Sequence, residues 1–223
     1  MASGDLGGIP EDTMSKATTN GGQTTPPGVL RRLDTAAAAN LAELNATFED
    51  LQTVLRCCER LMSELTAGEG EPDGVLVEAV WTMALLSYAR CFSAGTAGTA
   101  LTEDDLSATK LGEDVLDWHK VLLQLRDHYA DPTANPRERF SVVVTQDEAT
   151  GTASGIGITS ARQPLVDDLT VRQTGGIAFT LSRLVNDRIA AEQEMVFAEL
   201  KDSPKEVLDK LVRLEIAGPE ERP

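Results

Sequence analysis

The sequence predicts a mainly α fold, a helical bundle of about five helices with a small β-hairpin inserted between the third and fourth helices. Apolar residues recur every three or four positions over several long segments, and a short run rich in β-branched residues interrupts this pattern near Val142. Aromatic residues make up only 4% of the 223-residue chain. The chain is long enough for one good core, and aliphatic side chains must fill most of it.

The two ends of the chain differ in composition from the rest. Residues 1–28 consist largely of Gly, Thr, Pro, Ser and Asn. Such a segment cannot bury enough apolar surface to offset the entropy of ordering it. We therefore expect a disordered N-terminal tail over residues 1–28, a single helical domain over 29–217 and a frayed C-terminus over 218–223.

The first helix is predicted from an apolar stripe that advances in alternating steps of three and four residues. The stripe comprises Leu41, Leu44, Phe48, Leu51, Leu55, Cys58, Met62 and Leu65. Its regularity over about three heptads suits a long partner helix. That partner is either another helix of the same chain, which we favour, or the same helix of a second subunit.

Breakers and start signals delimit the remaining elements. A second helix over about 77–92 follows the glycine-rich segment 67–74, and a third runs from about Gly112 to Tyr129, before Asp131-Pro132. The hairpin is predicted over about 139–160, with its turn near Gly151. A fourth helix follows Gly175-Gly176 as far as Leu200, or begins before these glycines with a kink. A last helix has Ser203 as N-cap, Pro204 at its first position and Glu206 closing a capping box.

The charge balance limits the classes of partner. Lys and Arg total 20 against 36 Asp and Glu, a formal net charge of -16. A field of this sign repels phosphate backbones, which argues against broad DNA binding. A local basic pocket can still bind RNA or a nucleotide, because charge on a distant face is screened within about 10 Å.

Cysteine and histidine usage predicts neither a disulfide framework nor a metal site. Cys57 and Cys58 are adjacent, Cys91 stands alone, and neither a CxxC nor an HExxH motif occurs. No cofactor is expected. The chain shows neither a signal peptide nor about 18 consecutive apolar residues, so we expect a cytoplasmic protein without a membrane span.

Two polar residues interrupt an apolar face of the third helix. His119 and Arg126 lie seven residues, or two turns, apart and therefore project from the same face. In the structural interpretation, Arg126 pairs with a carboxylate and His119 joins a hydrogen-bond network in the core. In the functional interpretation, the two residues belong to a binding or catalytic pocket.

The segment Arg126–Asp131 resembles the signature of HEPN-type helical proteins, an arginine and a polar residue at a helix end with a histidine five positions after the arginine. The resemblance covers about 75–135. It implies a small helical bundle, often dimeric, from a family in which many members are metal-independent RNA endonucleases of toxin–antitoxin, abortive-infection or RNA-processing systems. Arg126 matches the arginine and Asp127 its polar neighbour, but Asp131 occupies the position of the histidine.

In such nucleases the histidine is thought to handle the proton of the ribose 2′-OH while the arginine stabilises the phosphate. A carboxylate at Asp131 would repel that phosphate. The resemblance therefore implies either a catalytically degenerate copy or chemistry that has moved to His128 and His119.

Three functions follow as hypotheses, and whether the chain is an enzyme stays open. The first is a non-catalytic HEPN-like binding or regulatory module, possibly a dimer, with its pocket around Arg126. That pocket would use His119, Arg126, Asp127 and Asp131 to bind a nucleotide, an RNA end or an acidic peptide. The second is a ribonuclease in which Arg126 stabilises phosphate and His128 acts as the base. The third is an assembly protein that uses the stripe of the first helix for self-association or for a protein partner.

Overall fold

The computed structural model describes residues 29–67, 70–93, 95, 98–112, 114–133 and 135–214. The predicted tails over 1–28 and 218–223 lie outside the described residues. The mainly α fold with a small hairpin is confirmed. The elements are β1 (Leu30–Arg31), α1 (Ala36–Thr66), α2 (Gly74–Cys91), α3 (Glu103–Ala108), α4 (Val115–Ala130), β2 (Glu138–Gln146), β3 (Ala153–Arg162), α5 (Asp168–Leu200), α6 (Lys205–Leu208) and β4 (Arg213–Leu214).

The chain divides into two compact units. The smaller unit joins the segment that ends at Arg32 to the segment that begins at Lys205. In it, β1 pairs antiparallel with β4, and the guanidinium of Arg31 lies 2.6 Å from a carboxylate oxygen of Asp209. The larger unit, Leu33–Pro204, contains α1 to α5 and the hairpin.

The core of the larger unit forms where α1 packs against α2 and α5. Thr35 caps α1 by accepting a hydrogen bond from the backbone N–H of Ala38. The predicted stripe of α1 faces this core, with Leu44, Leu51 and Cys58 buried in it. The stripe therefore packs within the chain, as in the favoured intrachain alternative.

Three helices differ from the sequence expectation or refine it. α5 begins at Asp168, where Asp167 caps the helix by accepting a hydrogen bond from the N–H of Thr170 at 2.8 Å. It then continues through both glycines. α3 is a sixth helix among the described residues, closed by a capping box between Thr102 and Asp105. α6 is a single turn of four residues.

The two glycines of α5 differ in their surroundings. A Cβ at Gly175 would lie 3.5 Å from the Cβ of Cys58, which is ordinary van der Waals contact between α5 and α1. A Cβ at Gly176 would meet no atom within 4 Å.

We expect Gly176→Ala to stabilise the protein by about 1 kcal/mol, because alanine loses less backbone entropy than glycine in a helix interior and meets no steric conflict here. Thermal and urea unfolding would measure the change. Gly151→Ala is the matched control: Gly151 has a φ of 69°, so alanine there should destabilise. A destabilising Gly176→Ala would contradict the open space at this position.

Among the described residues, α2 alone is long and apolar enough to cross a membrane, with a mean hydropathy of 1.2. Its buried side chains include Val77, Trp81, Leu85 and Tyr88, which belong to the hydrophobic core. A buried helix in the core of a bundle can have the same length and composition as a weak membrane span. The apolar composition of α2 is consistent with its packing in the core.

Candidate functional site

His119 lies in the core of the bundle, with 4% of its surface exposed. Its Nδ1 is 2.9 Å from the hydroxyl of Tyr88, and its ring centroid is 4.3 Å from that of Phe92. Burial lowers the pKa of His119 below 6.5, an effect that Glu103 opposes and Lys120 reinforces. His119 therefore makes a hydrogen bond in the core, as the structural interpretation expects. The lowered pKa favours its neutral form at neutral pH.

Arg126 lies partly buried one position before an exposed carboxylate. Its Nε is 2.7 Å from Oδ1 of Asp127, a distance that makes an ion pair. The N–H does not point at that oxygen, and within the part of the chain that the structure describes this buried Nε has no aligned acceptor. Asp127 therefore offsets the charge of Arg126 without satisfying its donor.

Asp131 terminates α4 with local hydrogen bonds. Its carboxylate accepts from the backbone N–H of Thr133 at 2.8 Å and from the hydroxyl of the same residue at 2.7 Å. These hydrogen bonds hold the pKa of Asp131 below its usual value, and the charge of His128 acts in the same direction. Asp131 thus forms a local turn that ends the helix.

The sequence-predicted residues do not meet at one point. Arg126 and His128 are two residues apart on α4, which places their side chains about 200° apart around the helix axis. His119 and Arg126 share a face but are separated by about 10 Å along the axis. His119 is buried while His128 is exposed. An acid and a base for one scissile bond would need to converge within hydrogen-bond reach of it.

A cleft of about 480 Å³ opens where α4 ends and the hairpin begins. We name it the hairpin-base cleft, and its lining residues are His128, Asn135, Glu138, Arg139, Phe140 and Gln163. Phe140 exposes 57% of its surface. The cleft combines an arginine, a histidine, two amides and an aromatic ring, with one carboxylate.

Local hydrogen bonds position the residues of the hairpin-base cleft. The amide oxygen of Asn135 accepts from the backbone N–H groups of Arg137 at 2.9 Å and Glu138 at 3.3 Å. This turn leads into β2 and leaves the amide nitrogen of Asn135 as a donor. Arg137 anchors the hairpin to α2, because its Nε lies 2.8 Å from a carboxylate oxygen of Glu78.

Sequence reasoning found one lining residue of this cleft, His128, and missed the others. Arg139 and Gln163 lie at opposite ends of the hairpin in sequence, and strand pairing brings them together: Gln163 donates its backbone N–H to the carbonyl of Arg137 at 2.8 Å. The register of the hairpin was the signal that could have linked them.

The described part of the chain contains no group of three His, Cys, Asp or Glu residues that could hold a metal ion. All three cysteines are free thiols. Burial raises the pKa of Cys58 and of Cys91 to about 12, so both stay protonated at neutral pH and are poor nucleophiles and ligands.

No family model matches this chain, no curated protein matches it, and no solved structure matches it. The HEPN-like assignment therefore rests on the motif at Arg126–Asp131 alone and stays a prediction.

Proposed function

We propose that this chain is a non-catalytic binding module that holds a nucleotide or the phosphorylated end of an RNA in the hairpin-base cleft. The composition of that cleft carries the proposal, since it gathers Arg139, His128 and Phe140 in a chain with a net charge of -16. Its volume of about 480 Å³ suits a small ligand. We also propose that the module is HEPN-like, has a regulatory role and acts in the cytoplasm.

Each part of the ligand has a matching group in the cleft. The guanidinium of Arg139 can donate two hydrogen bonds to a phosphate, and His128 adds a further donor. The exposed ring of Phe140 offers a stacking surface for a base. The side-chain amides of Asn135 and Gln163 can hydrogen-bond to base edges or to sugar hydroxyls.

The remaining charge restricts the size of the ligand. Glu138 lines the cleft, and the net charge of -16 repels a long phosphate backbone. A mononucleotide or a short single-stranded end escapes most of this repulsion, because the field is screened over about 10 Å. A long duplex extends beyond this distance and is repelled by the negative charge of the chain.

The non-catalytic character is supported by what surrounds the HEPN-like motif. His119 is hydrogen-bonded to Tyr88 in the core, and Asp131 is engaged by Thr133. The ribonuclease alternative needs Arg126 and His128 in one cleft, and His128 lines the hairpin-base cleft without Arg126. The assembly alternative needs a free stripe on α1, and that stripe packs against α2 and α5.

We expect Arg139→Ala to weaken binding of a short 5′-phosphorylated RNA by about 10- to 100-fold, the loss of one charge-assisted contact. Fluorescence anisotropy with a labelled RNA and competition by adenosine monophosphate would measure it. Arg56→Ala is the matched control, because Arg56 lies on α1 in an exposed ion pair with Glu49. Equal loss in both variants, or no binding by the wild type, would contradict the proposal.

The same RNA also tests catalysis. After incubation with the protein, with and without chelator, we expect it to remain intact. Cleavage that survives chelation and disappears in Arg126→Ala would instead favour the ribonuclease alternative.

A further inference from the structure

We propose that one face of the β-hairpin is an interface between two copies of this chain, stacked face to face about a twofold axis with their hairpins antiparallel. We name this surface the hairpin face. Its residues are Phe140, Val142, Val144, Ile156 and Ile158.

The strand register places these five side chains together. Val142 pairs with Ile158 and Val144 pairs with Ile156, and successive residues of a strand point to opposite sides. Phe140, two positions before Val142, lies on the same side. The opposite side of the hairpin carries Val143 among small and polar residues, including its partner Gly157.

The hairpin face is exposed over most of its area. Val142, Ile156 and Ile158 expose 75%, 79% and 72% of their surfaces. Within the described residues the strands pack on each other, and nearly all of their residues are exposed. A lone two-stranded hairpin is marginally stable in water and needs a further layer on its apolar face.

A second copy supplies a layer of the right size. The five side chains expose roughly 600 Å², the upper end of what monomers leave uncovered. Complete burial of two such faces would remove at most roughly 1,200 Å² from water, the lower end of specific interfaces. Residues 1–28 are a poor substitute, because their large apolar side chains are Met1, Leu6, Ile9 and Met14 alone.

The hairpin face is also complementary to itself. The Val142–Ile158 pair lies near the middle of the strands, so an antiparallel stack about this point places Phe140 of one copy near Val144 of the other. The larger ring then meets the smaller side chain, and five apolar residues without a charge form the contact.

Charges at the turn favour the antiparallel orientation. The turn carries Asp147 and Glu148 without a basic residue. At the base, Glu138 and its register partner Arg162 lie on the side of the hairpin face and balance each other, while Arg139 lies on the opposite side. Antiparallel stacking sets the acidic turn of one copy against this charge-balanced end of the other. Parallel stacking would bring the two acidic turns together.

The test is sedimentation velocity of the full chain over a range of concentrations, in which the wild type should approach twice the monomer mass of 23.9 kDa. Val142→Thr with Ile158→Thr should raise the dissociation constant on the order of 100-fold, since threonine keeps the β-branched shape but adds a hydroxyl to the contact. Val143→Thr makes the same chemical change on the opposite side and should remain dimeric. Circular dichroism would verify that each variant is folded.

Glu148→Lys tests the orientation. In the antiparallel dimer position 148 faces the charge-balanced base of the other copy, so the variant should change association by less than about threefold. Tighter association of this variant would overturn the antiparallel arrangement, because it is the result expected when the turns lie together.

Two further outcomes would overturn the interface itself. One is a wild type that stays monomeric at high concentration, including one that instead co-sediments with lipid vesicles. The other is equal dissociation by Val143→Thr and by the double variant. Phe140 belongs to both surfaces, so a base stacked on its ring and a second copy would compete for the same group. Neither Val142 nor Ile158 lines the hairpin-base cleft, so RNA binding by a monomeric double variant would keep the proposed function distinct from this inference.

Discussion

Leu181→Ala is expected to lower the free energy of unfolding by about 2–5 kcal/mol. Leu181 lies on α5 with 0% of its surface exposed, in the core that α5 forms with α1. The substitution removes buried methyl groups and leaves a cavity that a closely packed helix pair can refill only in part. A loss of this size is a large fraction of the stability of a small protein.

Leu169→Ala is the matched control for this prediction. Leu169 lies on the same helix with 61% of its surface exposed, and its truncation should change the stability by less than about 0.5 kcal/mol. Urea unfolding of both variants, followed by circular dichroism, separates the two effects. Similar losses would mean that α5 contributes helix propensity rather than a packed face to the core.

Stability should fall as the pH drops below 6.5, and His119 should account for much of the slope. Burial lowers the pKa of this histidine in the folded state below its usual 6.5, so above that pH the ring is neutral in both states and its contribution is fully present. Below 6.5 the unfolded chain takes up a proton that the folded chain resists. The free energy of unfolding then decreases by at most about 1.4 kcal/mol per pH unit until the folded-state pKa is reached.

Urea unfolding between about pH 7.5 and about pH 5.5 would measure this slope. His119→Phe with Tyr88→Phe removes both partners of the buried hydrogen bond and should flatten it. Tyr88→Phe alone should cost about 1–3 kcal/mol, because Nδ1 of His119 then lacks its partner. A slope that persists without His119 would contradict the assignment.

The helices were predictable because their information is local. The stripe from Leu41 to Leu65 has the period of a helix. The hairpin follows from β-branched residues on both sides of a turn near Gly151. The start of α5 was less certain, because glycines are weak helix formers. The position of Gly175 next to Cys58 of α1 is a tertiary feature, which no local pattern reveals.

The candidate site was predictable only in part. Helix periodicity predicts His119 and Arg126 on one face of α4. The ribonuclease hypothesis paired Arg126 with His128, which the helix sets about 200° away around its axis. Periodicity does not reveal that Tyr88, on α2, hydrogen-bonds to His119, because the path of the chain between the two helices decides which faces meet. The hairpin-base cleft likewise depends on the return of β3, which brings Gln163 next to residues of α4 and β2.

The sequence by itself therefore determined the fold class and the helical periods. Each follows from residues within a few turns of one another. Tertiary structure decided that the stripe of α1 is covered, that His119 is a core residue, and that the apolar face of the hairpin is left open. The physical reason is that burial depends on which distant elements pack together, while periodicity reports only that an element has an apolar side.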